Sequence, residues 1–131
     1  MQIPRDIHQA IFAHAREDAP DECCGMLGHA DGAARSVQRV TNDAHSPLRF
    51  QMNPTEQLKA IDAIEGEGLE VAMYHSHTRS APEPSQTDVN YARWWPGVLW
   101  LIAGVSTGED DLRAWWIEDG EVRQEPLELV D

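Results

Sequence analysis

The apolar positions of this chain change period several times. From residue 4 to 17, Ile7, Ala10, Ile11 and His14 recur at i, i+3, i+4 and i+7, which predicts an amphipathic helix, with Pro4 suited to its first turn. Ala19-Pro20-Asp21 breaks that pattern. Residues 22–29 read as a short strand in which Gly25 and Gly28 would let another backbone approach closely. Asp31-Gly32 signals a turn, residues 36–40 a return strand, and residues 48–52 a weaker strand. A second helix is better marked: Asn53 is its candidate cap, Pro54 its first position and Glu56 its third, Leu58, Ile61 and Ile64 form its apolar stripe, and Gly66 and Gly68 end it. Residues 69–75 form a short apolar run of strand type. Residues 85 to about 95 predict a third helix, stopped by Pro96-Gly97. The continuous apolar run 98–105 predicts a central strand. Residues 112–117 and 121–122 flank Asp119-Gly120, a strong hairpin signal. The order helix, strands, helix, strand, helix, strands predicts a mixed α/β domain, its helices packed on a largely hairpin-built sheet.

Length and composition narrow this picture. A chain of 131 residues fits one domain, 1–131. At this size about two-thirds of the unfolded chain's surface can be buried, so folding needs no disulfide or structural metal. The net charge of −13 would repel phosphate backbones and anionic lipid, so neither nucleic acid nor a membrane surface is an expected partner. The two cysteines, Cys23 and Cys24, are neighbours and offer no spaced disulfide framework. Residues 1–6 lack a basic start followed by an apolar stretch, and no run approaches the roughly 20 apolar residues of a membrane span. A cytoplasmic protein is therefore expected.

The candidate chemistry lies in His75-Ser76-His77, followed by Ser85 and Asp88. Two histidines two apart in an extended segment share one face, and they close an apolar strand where it hands over to a loop. A carboxylate a short loop later can complete a three-ligand set, leaving the fourth position of a zinc ion open for water, as in catalytic zinc sites. Asp88 is better placed for this than Glu83, which lies in a Pro-flanked loop. Ser85-x-x-Asp88 also reads as a helix capping box, and the two readings agree, because a carboxylate in a first helical turn is held rigidly. His8, His14, His29 and His45 read as packed or solvated residues, and the five tryptophans mostly as core. A hydrolytic zinc site needs a general base. Among 23 acidic residues, composition cannot select it; Glu22, at the entry to its strand, could face the site.

These residues together resemble the JAMM (MPN-plus) metalloprotease family, whose pattern is a Glu in an early P-x-E-x-x-G-x-L-x-G-like strand and then H-[ST]-H-x₇-S-x₂-D. Here the pattern reads Pro20-Asp21-Glu22-Cys23-Cys24-Gly25-Met26-Leu27-Gly28, then His75-Ser76-His77, Ser85 and Asp88. The likeness covers nearly the whole chain and is strongest to the short bacterial branch of sulfur-carrier-protein peptidases. Thr78 stands where many members carry Pro after the second His. The resemblance implies an α+β, cytidine-deaminase-like fold with about three helices on a mixed sheet. It implies Zn²⁺ on His75, His77 and Asp88, with Glu22 as general acid/base and Ser85 steadying the oxyanion; Ser76 is not a nucleophile. It also implies a substrate that is a ubiquitin-like or sulfur-carrier protein with a C-terminal Gly-Gly tail, lying in a groove that residues 44–54 help to form. Either a carrier–cysteine adduct or a carrier–lysine isopeptide would suit. Two rivals are a non-catalytic scaffold, which would be expected to lose ligands that are all kept here, and a nucleoside deaminase, whose P-C-x-x-C signature is absent.

Overall fold

The computed structural model describes residues 1–131. Eleven elements follow one another: β1 (Gln2–Pro4), α1 (Arg5–Asp18), β2 (Cys24–Ala30), β3 (Ala33–Val40), α2 (Pro54–Gly66), β4 (Glu70–His77), α3 (Gln86–Ala92), β5 (Leu99–Gly104), β6 (Asp111–Glu118), β7 (Glu121–Glu125) and β8 (Glu128–Val130). All eight strands join one mixed sheet in the order β7-β6-β5-β4-β2-β3-β1-β8. The β2–β3, β2–β4, β5–β6 and β6–β7 pairs are antiparallel, whereas β4–β5, β1–β3 and β1–β8 are parallel. The sheet is thus less purely hairpin-built than the turn signals imply. The parallel β4–β5 pair requires a crossover, and α3 lies within it. The fold is of the α+β class.

Alternation along each strand divides the core into two layers. Ile7, Ile11, Phe12 and Ala15 of α1 pack with Cys23, Leu27, Tyr74, Leu99 and Leu101 on one face of the sheet. On the other face, Ala60 and Ile64 of α2 and Ala92 of α3 pack with Cys24, Met26, Met73 and Trp100. Every residue of β5 is buried, as its apolar run predicts. Several expectations are corrected. Residues 48–52 form no strand; only an isolated bridge joins Asn42 to Met52. Leu58 is exposed, and Ala60 rather than Leu58 joins Ile64 on the inner stripe of α2. Pro4 precedes α1 rather than sitting in its first turn. The strands β1 and β8 escape the periodicity reading because three residues are too few to display a period. Trp100 is fully buried, but Trp94 stands out in solvent. Cys23 and Cys24 are free and buried, and no helix is long and apolar enough to cross a membrane.

Gly25 is required by contact rather than by backbone conformation. It sits between Arg39 on β3 and Tyr74 on β4. A Cβ added here would overlap the Tyr74 ring and come within 2.5 Å of the Gln38 carbonyl oxygen. Tyr74 has little room to yield, because its hydroxyl is hydrogen-bonded at 2.7 Å to Nδ1 of the buried His14. Gly66, by contrast, has nothing within 4 Å of such a Cβ. In chemical denaturation, Gly25→Ala should lose about 2–3 kcal/mol, while Gly66→Ala should be neutral or stabilising by up to about 1 kcal/mol. Equal effects of the two would refute the close-packing account.

Candidate metal centre

His75 and His77 close β4 with the same parity as Met73, so both imidazoles face the α2/α3 side, while Tyr74 and Ser76 face α1. The two Nε2 atoms are 3.2 Å apart. Asp88 meets both: Oδ1 is 3.1 Å from His75 Nε2, and Oδ2 is 3.1 Å from His77 Nε2. The expected capping box is formed. The Asp88 N–H donates to Ser85 Oγ at 3.1 Å, and the Ser85 N–H donates to Asp88 Oδ2 at 3.0 Å. The cap therefore orients the carboxylate as well as starting α3. Glu83, the rival carboxylate, accepts from Arg113 at the surface instead and stands outside the group.

The ring of His77 is oriented by its far nitrogen. Nδ1 lies 2.8 Å from the Ala81 carbonyl, which can only accept, so Nδ1 carries a proton and the ring is turned with its Nε2 toward Asp88 and His75. His75 is held differently. Its Nδ1 is buried without a hydrogen-bond partner, and packing fixes the ring: Phe50 stacks on it at 4.6 Å between centroids, and Trp100 meets it edge-on at 6.0 Å. Burial alone would raise the Asp88 carboxyl, but His75 and the hydrogen bonds from both histidines and Ser85 outweigh it, holding Asp88 well below the usual carboxylate range. Burial likewise pulls His77 down, and Asp88 and the Ala81 carbonyl reverse that, so its net shift is upward.

This donor set suits a metal ion. Four ligands spread tetrahedrally at ~2.0–2.1 Å from zinc stand roughly 3.3–3.4 Å from one another, close to the separations across His75, His77 and Asp88. All three residues are buried, and their ligand atoms lie within 4.8 Å of one another.

Glu22 arrives from a distant part of the chain, two residues before β2. The adjoining Cys23 is locked to β4 by two bonds: its N–H donates to Ser76 Oγ at 2.8 Å, and its carbonyl accepts from the Ser76 N–H at 3.1 Å. Glu22 is only 4% exposed, and its Oε1 has no hydrogen-bond partner. Burial raises its carboxyl, His77 opposes the shift and Asp88 adds to it, and the result is pushed up to about 8. Glu22 also lines a cavity of about 360 Å³, whose other walls include His14, Asp18, Arg39, His45 and Glu56. Ser76 and Phe50 make contacts here that sequence reasoning did not single out. For Ser76 a signal existed: alternation puts it on the face opposite the two histidines.

The profile of the family described as prokaryotic homologs of the JAB domain matches residues 4–118. The chain belongs to this JAMM/MPN family. A relative from Mycobacterium tuberculosis, named CysO-cysteine peptidase, is 36% identical over 132 residues, covering 98% of this chain and 90% of the relative. A Haloferax volcanii protein named desampylase is 39% identical over 111 residues, 78% of each chain. The solution structure of a Desulfitobacterium hafniense protein superposes with a TM-score of 0.87 at 29% identity, covering 100% of this chain and 94% of that one.

The Glu22 carboxyl makes the metal-free JAB-domain protein sensitive to pH. A carboxyl raised from 4.5 to about 8 on folding binds its proton more tightly in the folded state. Its contribution is thus fully present below pH 4.5 and is lost as pH rises toward 8, with a slope of at most about 1.4 kcal/mol per pH unit. Denaturation of metal-free Glu22→Gln across pH 5–8 should show a flatter profile than the parent protein. Parallel profiles would mean that Glu22 is not buried as described.

Proposed function

We propose that this protein is a zinc metallopeptidase that hydrolyses the bond after the C-terminal Gly-Gly of a ubiquitin-like or sulfur-carrier protein, as in a carrier–cysteine adduct. The observation that carries the reading is the placement of Glu22. A buried carboxyl with an unpartnered oxygen lies at the same end of the central β2–β4 pair as a three-ligand group. A purely structural metal site would have no use for that carboxyl, whereas hydrolysis needs a group that takes a proton from water and returns it to the departing amine.

In this reading His75, His77 and Asp88 hold Zn²⁺ and leave one position open. When bound, the ion supplies Lewis acidity, lowering the pKa of a water and polarising the scissile carbonyl. Glu22 holds the transferred proton at its carboxylate. Its buried setting keeps the proton affinity high, and the positive charge of a neighbouring cation would bring it back toward neutrality. Ser85 Oγ accepts the Asp88 N–H through a lone pair, which leaves its own O–H free to donate to the developing oxyanion. Phe50 and Trp100 exclude water around His75 and strengthen the electrostatic interactions inside. Ser76 has no nucleophilic role, since its hydroxyl is engaged by the Cys23 N–H on the opposite face.

A second reading is a deconjugating isopeptidase that removes a ubiquitin-like modifier from protein lysines. The likeness to the protein named desampylase favours it, as the likeness to CysO-cysteine peptidase favours the first. Incubating the zinc-loaded enzyme with a carrier–cysteine adduct and a carrier–lysine isopeptide, followed by mass spectrometry, separates the two; cleavage of neither would sink both. Glu22→Gln should lower kcat by about 10²–10⁴-fold and retain zinc at one ion per chain, whereas Asp88→Ala should lose both zinc and turnover. Near-normal activity of Glu22→Gln would remove Glu22 from its role.

A further inference from the structure

The segment between β3 and α2 has little regular structure, yet it touches both halves of the site. Its Phe50 stacks on His75, and its Ser46 carbonyl accepts the Glu22 N–H at 2.9 Å. One side chain closes this segment on itself. Asn42, 5% exposed, spends its whole hydrogen-bonding capacity on four backbone groups. Its Oδ1 accepts from the Ala44 N–H and the Gln51 N–H, each at 2.9 Å. Its Nδ2 donates to the Glu22 carbonyl at 2.9 Å and to the Arg49 carbonyl at 3.2 Å. An amide has two donors and two acceptor lone pairs, so nothing is left over. The orientation is also forced, because a flipped amide would set its oxygen against two carbonyls and its NH₂ against two N–H groups.

The partners lie on two different pieces of chain. Three belong to the 44–51 segment and one is Glu22 itself. Both backbone groups of Glu22 are thereby held by this segment, the N–H by Ser46 and the carbonyl by Asn42. The same closed segment presses Phe50 on His75, whose Nδ1 has no hydrogen bond to orient it. We infer that Asn42 is a positioning residue: by closing the 42–52 segment onto the Glu22 backbone, it sets the Glu22 carboxyl relative to the His75, His77 and Asp88 group. Asn42 touches neither the metal ligands nor any reacting atom and acts wholly through Glu22 and Phe50. This role rests on the peptidase reading for its kinetic consequence but not for its structural one.

Two variants divide the four bonds. Asn42→Ala removes all of them. Asn42→Asp keeps the two acceptor bonds that shape the segment and replaces the two donor bonds with a carboxylate facing carbonyl oxygens. Three measurements apply to both variants: zinc content, kcat and KM on the Gly-Gly-linked substrate that the parent cleaves, and amide hydrogen exchange. Both should bind one zinc per chain and lose kcat by about 10- to 100-fold, the scale of a misplacement near 1 Å, with KM changed less than kcat. In exchange, Asn42→Asp should lose protection at Glu22 while keeping it at Ala44 and Gln51, and Asn42→Ala should lose it at all three, with β5 unchanged in both. Activity per bound zinc within twofold of the parent for Asn42→Asp would overturn the role, as would zinc loss matching the loss of activity. If the parent cleaves neither carrier conjugate, the peptidase reading has failed; the exchange pattern then decides the Asn42 role alone, and unchanged protection at Glu22 refutes it.

Discussion

Two hydrogen bonds between Cys23 and Ser76 set the geometry on which the rest of the site depends. The Cys23 N–H donates to the Ser76 hydroxyl, and the Ser76 N–H donates to the Cys23 carbonyl. They extend the antiparallel β2–β4 ladder, in which Cys24 lies opposite His75, by one step beyond the last paired residues. A slip of one residue would turn every side chain of a strand to the other face. Glu22 would then leave the side occupied by His75 and His77. The pair is buried on the α1 side, where an unmade hydrogen bond costs about 1–3 kcal/mol, so the correct register is favoured well beyond the thermal energy. Ser76, between two histidines, thus serves the site from the face that carries no chemistry.

Much of this was legible in the sequence, for identifiable reasons. The cap of α2 at Asn53 and the box at Ser85–Asp88 follow from local side-chain geometry, and both form as the spacing implies. The convergence of His75, His77 and Asp88 follows from strand alternation and a short connection. The meeting of these residues with Glu22 does not. It depends on which strand pairs with which, and no local period encodes that; only the family pattern pointed to this glutamate. The segment 42–52 was harder still. Its residues 48–52 read as a weak strand, but backbone groups of the segment are satisfied by the Asn42 side chain, by Glu22 and within the segment itself instead of by a neighbouring strand. Leu58 shows the limit of a helical stripe, since the sheet covers only the side of α2 that carries Ala60 and Ile64.

The electrostatic setting follows from packing rather than from net charge. The chain carries −13 overall, yet the carboxyls at the site are displaced in opposite directions. The two histidines and the helix start shift Asp88 down, and burial shifts Glu22 up. Two carboxyl groups whose environments drive them apart are suited to different tasks; in the proposed mechanism one stays an anion and the other carries a proton. Phe50 and Trp100 contribute by keeping the surroundings of His75 apolar, which magnifies both effects.

The crossover that carries α3 between β4 and β5 also bears on how the molecule assembles. His77 and Asp88 are 11 positions apart along the chain, whereas Cys23 and Ser76 are 53 apart. Loop closure scales with the logarithm of that separation, so joining the first pair costs about 1.4 kcal/mol less chain entropy than joining the second. The His75, His77 and Asp88 group is therefore a local structure, available as soon as β4 and α3 form, and the placement of Glu22 beside it waits for long-range strand pairing. If the proposed peptidase mechanism holds, a nascent chain would acquire affinity for metal before it acquires the ability to hydrolyse anything, which separates loading from activation in time.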